Sequence, residues 1–80
     1  MPIKIVFLGR LETAAGASER EVACAATLDD VLNALEAELA ATLRADAVKL
    51  AVNGVLVSDR GKLVLNDGDE LAFLPPVSGG

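Results

Sequence analysis

The sequence predicts an α+β domain in which one helix packs across a sheet. Three observations carry that prediction. Residues 3–8 and residues 70–74 are short runs of β-branched, aromatic and leucine residues, as strands are. An Asn53-Gly54 pair between valine-rich runs marks a hairpin. Between these, Leu28, Val31, Leu32, Leu35 and Leu39 recur at helical spacing.

Taken in order, residues 3–8 place Ile3, Ile5 and Phe7 on one face and Lys4, Val6 and Leu8 on the other. Lys4 marks the second face as solvent-facing, which makes Leu8 an exposed apolar residue. Residues 9–18 read as a turn, with Gly16 as the reversal point. Residues 19–25 alternate, with Arg20, Val22 and Cys24 on one side of Glu19, Glu21 and Ala23, and predict a second, antiparallel strand that buries Val22 and Cys24. Thr27 stands before Leu28-Asp29-Asp30, where its hydroxyl caps free helix N–H groups and both aspartates meet the positive end of the helix dipole. A single helix is expected over residues 28–41, with Leu43 packing just beyond it and residues 44–46 as a connector.

Residues 49–57 form the predicted hairpin. A two-residue type I′ turn at Asn53-Gly54 pairs Val52 with Val55 and Leu50 with Val57 on one side, and Ala51 with Leu56 on the other. Leu56 thus becomes a second outward apolar residue. Residues 58–62 read as a loop, 63–65 as a short apolar patch and 66–69 as a turn. In the last strand Leu71 and Phe73 face inward and Ala72 and Leu74 outward, and Pro75 and Pro76 end its pairing.

Composition narrows the function. With 80 residues the chain holds one small domain, whose stability margin is about 3–5 kcal/mol. It is 52% hydrophobic and 24% charged, too apolar for intrinsic disorder. The sequence has no histidine, which removes a Ser-His-Asp triad, a Cys-His pair and imidazole metal ligands. A net charge of −5 and two aromatic residues argue against nucleic acid as a partner. One cysteine makes no internal disulfide, and no apolar run has the length of a membrane span. A soluble cytoplasmic protein without membrane attachment is the expectation.

Few side chains offer chemistry. Cys24 lies on the apolar side of a strand with no histidine to activate it, and reads as a small buried hydrophobe. Asp29 and Asp30 serve the helix dipole, and Glu36 and Glu38 a solvated face. Asp67, Asp69 and Glu70 are too compactly spaced for a calcium loop and read as a turn, so no metal site is expected. Neither glycine-rich phosphate-binding motif occurs. What remains is the tail. Gly79-Gly80 lacks β-carbons, can thread a narrow tunnel, and presents a bare α-carboxylate that an ATP-dependent enzyme could adenylate.

The run from Leu65 to Gly80, Leu-Asn-Asp-Gly-Asp-Glu-Leu-Ala-Phe-Leu-Pro-Pro-Val-Ser-Gly-Gly, resembles the end of the molybdopterin synthase small subunits, sulfur carriers of the ubiquitin-like β-grasp superfamily. Ala51-Val52-Asn53 and Leu56-Val57-Ser58 are similar to that family's middle hairpin. The resemblance implies a β-grasp domain over residues 1–76 and a flexible tail over residues 77–80. It further implies that the Gly80 carboxylate is adenylated, becomes a thiocarboxylate, and gives its sulfur to a cyclic pyranopterin in molybdenum cofactor synthesis. On this reading the chain binds no cofactor, and ATP is used by its adenylating partner.

The implied partners are an adenylating enzyme of the ubiquitin-activating type, a sulfurtransferase, and the large synthase subunit in a heterotetramer of two small and two large chains. The implied site is Gly80 as the reacting terminus and Gly79 and Ser78 as the threading segment. Leu8, Leu56, Leu74, Pro75, Pro76 and Val77 form the expected docking surface. Two alternatives stay open: a carrier of the same fold serving thiamine or cysteine synthesis, and a ubiquitin-like protein modifier.

Overall fold

Three alternate residues of the first strand are buried almost completely, Ile3, Ile5 and Phe7, and they set the inner face of the sheet. The computed structural model describes residues 2–23, 25–45 and 47–75. Cys24, Pro76, Val77, Ser78, Gly79 and Gly80, for which the sequence suggested roles, lie outside the described residues.

Strand β1 (Ile3–Phe7) is followed by helix α1 (Arg10–Ala15) and strand β2 (Glu19–Val22). Helices α2 (Leu28–Asn33) and α3 (Ala37–Leu43) come next, then β3 (Lys49–Val52), β4 (Val55–Leu56), a single 3₁₀ turn at Arg60–Lys62, and β5 (Glu70–Leu74). The sheet runs in the order β2-β1-β5-β3-β4. β1 and β5 are parallel, while β1–β2, β3–β4 and β3–β5 are antiparallel. The final strand therefore occupies the centre, flanked by the first strand and the hairpin.

The register explains the core. Phe7 stands opposite Phe73 across the parallel pair, and Leu50 stands opposite Phe73 from the other side. The two rings stack with centroids 6.0 Å apart and planes 11° from parallel. Onto this inner face pack Leu11 and Ala15 of α1, Val31 and Leu32 of α2, and Leu39 and Leu43 of α3, with Leu63 and Leu65 from the irregular segment before β5. The helices thus all cover one face of the sheet, and the other face is left open.

Several expectations hold in detail. Asn53 and Gly54 have φ of 50° and 84°, as a type I′ turn requires, and the predicted pairs Val52–Val55 and Ala51–Leu56 are formed. Thr27 caps α2: its side chain accepts from the Asp30 N–H at 3.2 Å. The Asp30 carboxylate reaches back to the N–H groups of Thr27 and Ala26 at 3.2 and 3.0 Å, closing a capping box. These backbone bonds hold the Asp30 carboxyl below its ordinary value.

Other expectations are corrected. Residues 9–18 are not all turn, because α1 forms within them. Leu11 and Ala15, four residues apart, share one side of this six-residue helix and are both buried. The expected single helix over residues 28–41 is two. At the end of α2 the N–H groups of Ala34 and Leu35 bond to the carbonyls three residues back, Val31 and Leu32, which tightens the last turn. Glu36 is then extended, with ψ of 145°, and starts α3. Its carboxylate is held by the Arg20 guanidinium at 2.6 and 2.9 Å, while the same guanidinium donates to the Ala15 carbonyl at 2.8 Å. One arginine of β2 thereby binds the end of α1 to the α2–α3 corner.

Leu43, expected beyond the helix, lies inside α3 and is fully buried. β2 ends at Val22, short of the predicted 25, and Val22 is buried as expected. Within the hairpin, Val55 is on the side of Leu50 but exposed, because β4 at the sheet edge overhangs the core.

Candidate functional site: the open sheet face and the root of the tail

Pairing and alternation define what the open face presents. Val6 of β1, Ala72 of β5, Ala51 of β3 and Leu56 of β4 stand side by side in one row. One step further toward the chain end, Leu74 of β5 stands beside Lys49 of β3. Leu8 follows β1 at the same end, and its N–H bonds to the Phe73 carbonyl at 3.1 Å. Leu8 is 41% exposed and Leu56 68% exposed, while Leu74 is half-buried. All three leucines singled out in the sequence are therefore on one face. Leu56 lies two strands from β5, roughly 10 Å away at ordinary strand spacing.

The opposite end of this face is charged. Lys4 lies 3.1 Å from Glu19 and 3.9 Å from Glu70. Its ammonium is held above the ordinary lysine value, first by the hydrogen bond to Glu19 and by that carboxylate's charge. The open face thus carries an apolar row with Leu74 beyond it, bordered by Lys49 on one side and by the Lys4, Glu19 and Glu70 cluster on the other. An apolar area of this kind, rimmed by charge, is the usual form of a protein-docking surface.

Pro75 is the last described residue and roots the tail. It sits against Gly9, where a β-carbon would lie 2.9 Å from the proline Cγ. Gly9 has φ of 55° and ψ of −134°, a conformation that a side chain disfavours, so both backbone and space call for glycine. This contact braces the exit from the central strand against the β1–α1 corner.

Two features escaped the sequence reading, the exposed valines near β4 and the reach of Arg60. Val55 and Val64 are 69% and 67% exposed, which makes the β4 edge more apolar than Leu56 alone. Arg60 points its guanidinium back to the end of α3, donating to the carbonyls of Leu43, Arg44, Ala45 and Val48. No spacing signal links Arg60 to residues 12 to 17 positions earlier. The Asp69 carboxylate accepts from the Asn66 N–H at 2.8 Å and from the Asn53 side chain at 3.0 Å, and these bonds hold it below its ordinary value. Its oxygens thus serve the turn, as the sequence suggested.

A last strand at the centre of a five-stranded sheet, helices on one face and an open apolar face on the other define a class: small β-grasp proteins of the ubiquitin-like kind. A family model described as the ThiS family matches residues 5–80, and the chain belongs to that family. It is 34% identical over 86 residues, covering 100% of both chains, to a Chlamydomonas reinhardtii protein named molybdopterin synthase sulfur carrier subunit. The solution structure of the small archaeal modifier protein 1 from Methanosarcina acetivorans superposes with a TM-score of 0.77 at 27% identity, covering 99% of this chain and 96% of that one. The fold also matches, with a TM-score of 0.70 at 24% identity and full coverage of both chains, a Helicobacter pylori structure described as a complex of subunits 1 and 2 of molybdopterin-converting factor. No helix among the described residues is long and apolar enough to cross a membrane.

Proposed function

We propose that this chain is the sulfur-carrier subunit of a molybdopterin synthase. The observation that carries the reading is the end-to-end similarity to a sulfur carrier subunit of that enzyme, within a family match that runs to Gly80. The sparse side-chain chemistry supports it, since a carrier that reacts through its main-chain terminus needs no histidine or activated cysteine.

The chemistry proposed is a sequence of acyl transfers. An adenylating enzyme of the ubiquitin-activating type uses ATP to convert the Gly80 carboxylate into an acyl-adenylate, releasing pyrophosphate. A sulfurtransferase persulfide then attacks that carbonyl and AMP leaves. Reductive cleavage of the resulting acyl disulfide by a thiol leaves sulfur on Gly80 as a thiocarboxylate. The large subunit next takes up the tail, and the thiocarboxylate gives its sulfur to cyclic pyranopterin monophosphate. Two charged carriers serve each dithiolene, which suits a heterotetramer of two small and two large chains in the cytoplasm.

In this scheme the folded domain supplies position. Pro75, braced on Gly9, fixes the end of the central strand, and Ser78 and Gly79 are the segment proposed to carry Gly80 into the partner's tunnel. Leu8, Leu56 and Leu74 form the surface on which the partners seat. Intact-mass spectrometry of the chain from its native cell tests the proposal. Exchange of one carboxylate oxygen for sulfur adds about 16 Da, and the gain is expected to vanish when Gly80 is deleted. Sulfur found instead on Cys24 would overturn it.

A second reading is favoured by the structural likeness to a small archaeal modifier protein. As a protein modifier, the chain would be joined through Gly80 to lysines of other proteins. Gly80-linked peptides in a digest of the cell's proteins distinguish that role from sulfur carriage.

A further inference from the structure

We propose that Asn53 is a site of spontaneous covalent modification, deamidation through a succinimide, and that the modification unfastens the β3–β4 hairpin from the start of β5. The reacting pair is Asn53 and Gly54. Glycine has no side chain to shield its amide nitrogen, and the space where a β-carbon would stand at Gly54 is open to 4 Å. The pair forms the exposed tip of a hairpin whose outer strand, β4, is two residues long and lies at the sheet edge. Such a tip opens at low cost compared with the core strands.

The reaction balances without an oxidant or a cofactor. The Gly54 nitrogen attacks Cγ of Asn53, a C–N bond closes the succinimide ring, and the Cγ–Nδ2 bond breaks. Ammonia leaves, taking up the proton that the Gly54 nitrogen gives up. Water then opens the ring at either carbonyl, giving aspartate or isoaspartate. One water is consumed and one ammonia is released.

The consequence follows from what the carboxamide holds. Its Nδ2 donates to Asp69 Oδ1 at 3.0 Å, and its Oδ1 accepts from the Glu70 N–H at 3.0 Å. The Asn53 backbone N–H also donates to the Glu70 carbonyl at 2.8 Å. A carboxylate at this position has no proton to donate, and it places a second negative charge against Asp69. Isoaspartate further inserts a methylene into the main chain, which a two-residue turn does not accommodate. The other asparagines, Asn33 before Ala34 at the end of α2 and Asn66 before Asp67, are followed by residues with side chains and provide internal controls.

The test is ageing of the folded, full-length chain in warm neutral buffer, followed by peptide mapping by mass spectrometry and enzymatic isoaspartate labelling. A gain of about 1 Da is expected at Asn53 roughly tenfold faster than at Asn33 or Asn66. Equal rates at the three asparagines would overturn the site. The consequence is read separately, by thermal melting of Asn53→Asp. It is expected to melt about 5 °C below the parent, with most of the loss recovered by adding Asp69→Asn. A variant that melts with the parent, or one that Asp69→Asn does not rescue, would overturn the unfastening.

Discussion

Arg60 shows how one side chain closes a gap that the backbone leaves. The last carbonyls of a helix have no partner within it, and here the guanidinium serves those at the end of α3 together with the connector to β3. A planar fork of donors suits that task, whereas a lysine ammonium reaches fewer acceptors. Arg60→Ala is therefore expected to cost about 2 kcal/mol in chemical denaturation, with Arg60→Lys recovering only part. At the same scale, Asp30, Glu36 and Asp69 all have carboxyls held below their ordinary values, by backbone N–H groups at Asp30 and Asp69 and by Arg20 at Glu36. A depressed folded-state value means stability that is complete above the ordinary values of 3.8 to 4.5 and lost as pH falls through the lower folded-state values. Melting temperature should thus be level near neutrality and fall below about pH 4, and Asp30→Asn should flatten that fall. The raised values of Lys4 and Arg20 act oppositely, contributing throughout the neutral range and fading only in alkali.

Among the elements, α2 and α3 are short and depend on their ends. Six residues of α2 cannot sustain a helix in isolation, so its capping box and the burial of Val31 and Leu32 hold it. Thr27→Ala is expected to lower stability by about 1 kcal/mol, measured by denaturant titration. The Thr27 cap was legible in the sequence because it stands directly before Leu28-Asp29-Asp30, whereas the return bond to Asp30 that completes the box was read only as a dipole effect. The break after Asn33 was not legible, because Leu35 and Leu39 continue the helical spacing across it. It is accompanied by the contact of Glu36 with Arg20, a residue 16 positions away. Helix α1 was missed for a related reason: its six residues offer a single buried apolar pair, too little periodicity to separate helix from turn.

For the molecule as a whole, stability rests on one face of the sheet, and the proposed docking surface lies on the opposite face. The inner face concentrates on the stacked Phe7 and Phe73. Phe73→Ala is expected to cost about 3–5 kcal/mol, enough to leave a domain of this size largely unfolded at room temperature by circular dichroism. The outer face should behave differently. Leu56→Glu changes an exposed residue and is expected to leave the melting temperature nearly unchanged while weakening binding to a synthase large subunit by more than tenfold in calorimetry. Leu74→Glu, beside the tail root, should weaken binding to the adenylating enzyme as well; unchanged affinity for both partners would remove this face from the docking proposal.

The sequence by itself determined the strand faces, the Asn53-Gly54 hairpin and its register, the Thr27 cap, and the diglycine that the family match extends to. Each is written in neighbouring residues: alternation, a positive-φ pair, a hydroxyl before aspartates, two residues without β-carbons. Only the tertiary structure decided that β5 runs parallel to β1 at the centre of the sheet and that Leu8, Leu56 and Leu74 share its open face. The same holds for the seat of Pro75 on Gly9 and the reach of Arg60 across to α3. These depend on strand order and on contacts between residues distant in the chain, which burial of the core selects and local spacing does not encode.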